Sequence, residues 1–186
     1  MKHPISYIPY LQCPADSSFV ALATKRSGDT SYSPNGQAFV PNAKLSSSIP
    51  DGLSSTICLT EHFGRCGMAD FSWSLGESFC FDERDRLVPC KLFATVRSGF
   101  ADPGYQDVKP VYSNVTRTST SSVPQLTFQV RPTIQDCDPR IPQSGHVGGI
   151  VCSFFDGSVR LISHSIRNEV FWSLVTLSSG EVVSDF

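Results

Sequence analysis

The Asp156-Gly157 dipeptide, which lies between two alternating runs of apolar and polar residues, constrains the fold of this chain more than any other feature. The surrounding segment, residues 150–163, reads IVCSFFDGSVRLIS. Asp-Gly is a strong signal for a β-hairpin because a type I′ turn needs positive φ at both central residues. The segment is therefore predicted to form an antiparallel hairpin with Asp156-Gly157 at its tip.

A two-residue turn also fixes which residues of the two strands face each other. Phe154 is predicted to pair with Val159, and Cys152 with Leu161. One face of the hairpin then carries only apolar side chains and is predicted to be core: Ile150, Cys152, Phe154, Val159 and Leu161. The other face is mixed and carries Ser153, Phe155, Ser158 and Arg160.

After the hairpin, the apolar period changes from two residues to that of a helix. The apolar stripe consists of Ile166, Val170, Phe171, Leu174 and Val175. Ser165 is the predicted N-cap, and Gly180 the predicted stop. Residues 144–186 therefore predict a hairpin followed by a packed helix, and the chain is predicted to be α+β with an antiparallel sheet.

The remainder of the chain is punctuated by Pro and Gly. Strands are predicted over residues 31–40, 55–63 and 125–130. Residues 70–124 are predicted to be a loop-rich region or an insertion, and residues 98–124 are a long stretch of Ser, Thr, Asp and Pro. A length of 186 residues predicts a single domain, 1–186.

Charge and hydropathy narrow the range of partners. Net charge is −2 at pH 7, so no electrostatic footprint for nucleic acid or an anionic membrane is visible. No apolar run is long enough to span a membrane, and no signal peptide is visible. We therefore expect no nucleic-acid partner and no membrane segment in this chain, which either stays in the cytoplasm or lacks its targeting segment.

The chain has seven cysteines, so at least one thiol is unpaired within a monomer. No CxxC pair occurs, and the strong zinc and redox spacings are thus absent. Cys58 and Cys152 lie in apolar strand patterns and are predicted to be small buried hydrophobes. The others are better disulfide candidates: Cys13, Cys66, Cys80, Cys90 and Cys137.

His146 and Asp156 are the first candidate pair for chemistry, as a His–carboxylate unit for metal binding or acid–base work. Ten extended residues span roughly 33 Å, so the two side chains are expected at opposite ends of the first hairpin strand. We interpret both as structural. Asp156 and Gly157 set the turn, Gly148 and Gly149 let the chain enter the strand, and His146 anchors the preceding loop by a hydrogen bond.

A second candidate is Glu61 with His62 and Cys66, as zinc ligands or a Cys/His pair. One His and one Cys at this spacing, on a strand and the turn after it, favour an ordinary polar strand face instead.

Clustered aspartates offer oxygen ligands to calcium, although no EF-hand spacing is present. They are Asp136 and Asp138, with Asp156 or Asp51, and we interpret them as solvated turn residues. No GxSxG, HExxH, P-loop or GxGxxG motif occurs. The sequence therefore predicts no enzyme, no cofactor and no metal.

Several blocks, in order, resemble the planctomycete prepilin-like family known as domain of unknown function 1559. Its H-x(9)-D-G signature is matched by His146 and Asp156-Gly157, with Gly148 and Gly149 between them and Ser158, Val159 and Arg160 after them. The other matching blocks are CPAD, SYSPNGQAF, DGLSSTICLTEHFGRC and FQVRPTIQDCDPRIPQSGH. The resemblance covers most of the chain and is weakest over residues 70–124.

The resemblance implies a pilin- or pseudopilin-like head domain, here without the family's long N-terminal helix. The implied function is that of a non-enzymatic structural protein of the cell envelope, associated with type II secretion, whose partners are other pilin-like subunits or envelope proteins. An oxidising compartment would allow disulfides, with Cys66 pairing with Cys137 and Cys80 with Cys90. The alternatives are an extracytoplasmic ligand- or calcium-binding module and, less favoured, a Cys/His enzyme.

Overall fold

A computed structural model of the chain describes residues 8–19, 29–39, 43–45, 47–66, 69–72, 79–81, 87–89, 94–97, 100–101, 127–138, 141–178 and 180. Two short 3-10 helices come first, Pro9–Leu11 and Ser17–Phe19. The strands are β1 (Tyr32–Pro34), β2 (Ile57–Glu61), β3 (Arg65–Cys66), β4 (Ala69–Ser72), β5 (Phe79–Phe81), β6 (Leu87–Pro89), β7 (Ala94–Arg97), β8 (Gln129–Val130), β9 (Gln143–Ser144), β10 (Gly149–Phe154) and β11 (Val159–Ser163). An α-helix, α1 (Asn168–Val175), follows β11.

The main sheet has four strands in the order β1-β2-β10-β11, and all three pairings are antiparallel. The α+β class, the antiparallel sheet, the C-terminal hairpin and the packed helix are thus confirmed. Smaller sheets contain β3-β4-β7, β5-β6 and β8-β9, of which the β4-β7 and β8-β9 pairings are parallel. Among the described residues, no helix is long and apolar enough to cross a membrane.

The hairpin forms where it was predicted, but the predicted turn type and register are wrong by one residue. Cys152 pairs with Arg160, not with Leu161. The Phe154 N–H donates to the Ser158 carbonyl at 2.9 Å, which leaves three residues, 155–157, in the loop. Of these only Gly157 has positive φ, at +85°. This is typical of a type I turn followed by a left-handed glycine, which Asp-Gly also suits.

The register shift reverses the faces of β11, because side chains alternate along a strand. Ile162, not Leu161, enters the core with 1% of its surface exposed. Val159 and Leu161, both predicted to be core, are 65% and 58% exposed. Arg160 lies on the core-side face instead, with its guanidinium carbon 4.5 Å from the centre of the Phe154 ring.

The helix packs its apolar stripe on the sheet, where Phe171, Leu174 and Val175 are fully buried. It begins at Asn168 rather than after Ser165, so the predicted cap is wrong. Ser165 bonds to Ser163 instead, in a turn that delays the helix. The helix ends at Val175, before Gly180.

The core beneath the helix is formed by both strands of the hairpin and by β2. Its members include Ile57, Phe100, Ala101, Ile150, Cys152, Phe154 and Ile162. Cys152 is fully buried, as predicted, whereas Cys58 is half-buried. Buried Asn35 fastens the helix to the sheet by donating to the carbonyls of Ile57 (3.0 Å) and Val175 (2.8 Å).

The predicted strands outside the hairpin are shorter than expected. β1 stops at Pro34, since a turn follows, and β2 fills only the middle of residues 55–63. Of the predicted strand 125–130, only β8 is formed, and residues 125–126 lie outside the described part. Within residues 70–124, β5 to β7 are described, and residues 102–126 are not.

Cys66 and Cys137 form a disulfide across a sequence separation of 71 residues, with 5.2 Å between their Cα atoms. This is the pair that the resemblance suggested. The suggested Cys80–Cys90 pair lies partly outside the described residues, which do not include Cys90. Cys13, a predicted disulfide candidate, carries a free thiol.

Candidate functional site

Three chemically active side chains from distant parts of the sequence meet at one point. His146 Nε2 lies 2.9 Å from Glu61 Oε1. Cys13 Sγ lies 3.6 Å from that same carboxylate oxygen and 3.6 Å from that same ring nitrogen. Among the described residues, these three form the one group of His, Cys, Asp and Glu whose geometry could hold a metal ion. We call it the Cys13–Glu61–His146 cluster.

Glu61 is the centre of the cluster, and its position follows from the main sheet. It is the last residue of β2, next to β10 in the sheet, and only 4% exposed. Its second oxygen, Oε2, accepts hydrogen bonds from the Ser144 hydroxyl at 2.6 Å and the Val151 N–H at 3.0 Å. A buried carboxylate needs such partners to offset its lost hydration. The sheet therefore fixes the orientation of Glu61 and leaves Oε1 for His146 and Cys13.

Cys13 is held by a second buried carboxylate, Asp16. The Cys13 N–H donates to the Ser31 hydroxyl, which donates in turn to Asp16 Oδ2 at 2.8 Å. The N–H groups of Gly64 and Ser18 also donate to Asp16. Burial raises the pKa of Asp16, and these hydrogen bonds oppose the rise. The network joins the N-terminal segment to the strand region around β2.

His146 approaches from the loop before β10. Its N–H donates to the Ser144 hydroxyl, which also donates to Glu61, so one serine links both residues. Gly145 permits this arrangement, because a Cβ there would overlap the carbonyl group of Ala15. The CPAD turn thus packs directly against the chain that carries His146.

The geometry does not suit a catalytic Cys–His–Glu triad. In such a triad, the imidazole uses one nitrogen for the nucleophile and the other for the carboxylate. Here Cys13 and Glu61 both approach Nε2. Burial, followed by the negative charge of Glu61, raises the pKa of the Cys13 thiol, although a backbone hydrogen bond with Ala15 opposes this. An activated nucleophile needs a lowered pKa.

His146 and Asp156 occupy opposite ends of β10 and do not form a pair. The exposed Asp156 carboxylate accepts the Ser158 N–H at 2.8 Å. Its interactions with Ser158, with the side chain first and the backbone N–H second, lower the pKa of Asp156. Gly157, with φ of +85°, adopts the left-handed conformation that the turn requires. His146 Nε2 instead lies 2.9 Å from Glu61 Oε1, and its role as the anchor of its loop stays a prediction.

Glu61, His62 and Cys66 are not brought together as ligands. Successive residues of a strand point to opposite sides, and only Glu61 enters the cluster. His62 is 2% exposed, with Nδ1 2.8 Å from the Phe63 carbonyl. The Cys66 sulfur is bonded to Cys137 in the disulfide and carries no free thiol. Glu61, His62 and Cys66 therefore do not form the alternative zinc site considered from the sequence.

The aspartates considered for calcium also form no cluster within the described part of the chain. Asp136 accepts the Thr133 hydroxyl and is exposed, and Asp51 accepts the Gly180 N–H. Asp136 therefore behaves as a solvated turn residue, as interpreted from the sequence, whereas Asp51 is half-buried and bonds to a residue 129 positions away.

Sequence reasoning missed Cys13 as a member of any site and paired Glu61 with the wrong neighbours. The cluster joins residues separated by 48 and 133 positions, so no local spacing reveals it. The available signal was the order of the matching blocks, because each of CPAD, LTEHF and SGH contributes one member.

No family model matches the sequence, and searches of curated proteins and of solved structures found no match.

Proposed function

We propose that the chain is the head domain of a prepilin-like, envelope-associated structural protein, and that it acts without catalysing a reaction. One observation carries this proposal. The separate blocks that resemble the prepilin-like family meet in a single polar network. CPAD supplies Cys13 and Asp16, the block around β1 supplies Ser31, β2 supplies Glu61, and the signature supplies His146.

A structural role suits this network better than catalysis does. Most of its polar groups are buried and bonded to one another, which favours a single arrangement of the chain. The Cys13 thiol also lacks the environment of a reactive nucleophile, because its pKa is raised. The signature residues then serve to join distant segments of the head.

The Cys66–Cys137 disulfide supports an extracytoplasmic location. Disulfides persist in oxidising compartments and are rare in reducing ones. The partners in this proposal are other pilin-like subunits or envelope proteins, which a head domain would contact through its surface.

Fractionation of cells that express the native gene tests the proposal. An antibody against this chain should detect the protein in the envelope or extracytoplasmic fraction, with Cys66 and Cys137 protected from alkylation until reductant is added. Crosslinking should yield species that contain further subunits. A Cys66→Ser variant serves as the control for thiol labelling. Recovery in the cytoplasm as a monomer with reduced cysteines would overturn the proposal.

A further inference from the structure

We propose that Cys13 Sγ, Glu61 Oε1 and His146 Nε2 bind a zinc-class divalent metal ion, with solvent in the remaining coordination position. The site goes beyond the proposed structural function, which does not require a metal. The inference rests on the convergence of three ligand atoms that all lie within 4.8 Å of one another.

The distances between the three atoms fit tetrahedral coordination. Metal–ligand bonds of about 2.3 Å to sulfur and about 2.0 Å to nitrogen and oxygen place tetrahedral ligand atoms roughly 3.3–3.6 Å apart. Cys13 Sγ is 3.6 Å from Glu61 Oε1 and 3.6 Å from His146 Nε2. The remaining pair, His146 and Glu61, is 2.9 Å apart and has to open by a few tenths of an ångström.

The ligand types select the class of metal. A thiolate and an imidazole favour zinc and its neighbours in the first transition row, whereas calcium and magnesium prefer oxygen ligands alone. Three protein ligands with one open position are typical of zinc sites that retain a bound water. Calcium, which suits the aspartates considered above, is therefore not the expected occupant.

The outer contacts orient the ligands before any metal arrives. Glu61 Oε2 is held by Ser144 and Val151, so Oε1 points toward the cluster. Ser144 also fixes the backbone of His146, and Ser31 fixes that of Cys13. Such outer-shell hydrogen bonds tune metal affinity in known sites.

A path for entry exists on the histidine side of the cluster. The His146 side chain is 43% exposed, whereas Glu61 and Cys13 are buried. The cluster is therefore closest to solvent at the His146 ring, and a hydrated ion would approach from that side.

When the metal binds, the protons on the ligand atoms of Cys13 and His146 have to leave those atoms. The Cys13 thiol releases its proton to solvent when the sulfur–metal bond forms. In a neutral imidazole that carries its proton on Nε2, that proton moves through solvent to Nδ1, and the Nε2 lone pair then binds the metal. The hydrogen bond between His146 and Glu61 is replaced by one metal bond from each residue, and the neutral imidazole stays neutral.

Cobalt binding to the full chain tests the site, because Co²⁺ accepts the same ligands and reports them spectroscopically. Chain purified without thiol reductants is stripped with EDTA and titrated with Co²⁺ alone, then with Zn²⁺. We expect one ion per chain, a thiolate-to-cobalt charge-transfer band, and displacement of that band by Zn²⁺. Absence of binding, or binding without the thiolate band, overturns the proposal.

Variants assign the ligands. Cys13→Ser should abolish the charge-transfer band, and His146→Gln should weaken binding at least about tenfold, as losses at metal sites usually do. His164→Gln is the matched control, because the exposed His164 lies outside the cluster and its Nδ1 lies 3.1 Å from the Gly148 carbonyl. Cys58→Ser is the control for the thiol. Equal cobalt binding by His146→Gln and His164→Gln would contradict the assignment.

A positioning test separates metal binding from folding. Ser144→Ala removes the hydroxyl that orients Glu61 but leaves all three ligands in place. We expect about a tenfold weaker cobalt affinity with the charge-transfer band retained at saturation. Unchanged affinity in a folded Ser144→Ala protein, checked by circular dichroism, would contradict the inferred role of Ser144. If Cys13→Ser does not fold, the titration of the unaltered chain still decides the proposal.

Discussion

The two ends of β10 belong to one sequence signature but are built in different ways. At the far end, Asp156 and Gly157 make an exposed turn in which the Asp156 carboxylate accepts the Ser158 N–H. The long-range hydrogen bonds of this turn are made by its backbone, since the N–H groups of Phe155 and Asp156 donate to the carbonyls of Thr56 and Leu53. At the near end, His146 reaches a buried carboxylate 85 positions away, Glu61, and through it Cys13. One end closes a hairpin, and the other joins the N-terminal segment to the sheet.

This difference indicates at which positions a substitution should lower the stability of the domain most. The side chains of the exposed turn are expected to contribute modestly, because the long-range bonds of the turn are made by its backbone. A buried polar network holds several segments at once, and the loss of one member leaves other groups without partners. Substitutions near His146 are therefore expected to cost more than substitutions at the Asp156-Gly157 turn.

The largest effect on stability is expected from loss of the disulfide between Cys66 and Cys137. Replacing Cys66 and Cys137 with Ser should lower the free energy of unfolding by about 4 kcal/mol, because a long cross-linked loop restricts the unfolded chain. Urea denaturation measures the loss. Cys58→Ser is the control, since that half-buried thiol is free. Equal losses in the two proteins would show that the disulfide does not form in solution.

The hairpin register predicts the next largest effect. Ile162→Ala should cost about 3 kcal/mol because it empties a core position. Leu161→Ala should change stability by no more than about 0.5 kcal/mol, since Leu161 faces solvent. Denaturation of the two variants gives the comparison. If Leu161→Ala costs more than Ile162→Ala, the result would support the two-residue turn and its register instead.

Glu61→Gln tests the buried network itself. The amide should cost about 2 kcal/mol, because one carboxylate oxygen that accepts hydrogen bonds becomes a donor. Glu169→Gln, on the exposed first turn of α1, should cost about 0.5 kcal/mol through the helix dipole. Thermal and urea unfolding measure both. Similar values for the two glutamates would show that the buried network stabilises the domain no more than an exposed helix carboxylate does.

A smaller effect is expected at the turn. Gly157→Ala should cost about 1 kcal/mol, because an L-residue is strained at positive φ. Gly157→Asn should cost less, since Asn tolerates the left-handed region. Thermal unfolding separates the two variants. If Ala and Asn are equally tolerated, the left-handed glycine is not needed to close the hairpin.

The smallest effect is an opposite titration of two aspartates. The raised pKa of Asp16 means that its contribution favours folding below the unfolded value of about 3.9 and is lost as pH rises through the folded pKa. The lowered pKa of Asp156 means that its contribution is present above about pH 3.9 and is lost as pH falls through the folded pKa. Carboxyl NMR titration gives both values, and shifts of the same sign would contradict the contrast in burial.

The sequence was sufficient for features that depend on neighbours in the chain. Asp156-Gly157 predicted the hairpin, and the apolar stripe predicted a helix that buries Phe171 and Leu174. The hairpin register is wrong by one residue, and the helix has Arg167 rather than Ser165 at its N-cap position. Asp-Gly is compatible with both a two-residue and a three-residue loop, and only the packing of Ile162 against the core selects the second.

Cys13, Glu61 and His146 show what tertiary structure alone decided. The sequence determined their chemistry and placed Glu61 in a strand, but their meeting depends on how the N-terminal segment folds back across the sheet. That path is set by long-range contacts, such as the Asp16 bonds to Ser31 and Gly64, which have no local period. Local patterns therefore determined the hairpin and the helix, whereas packing between distant segments decided the site.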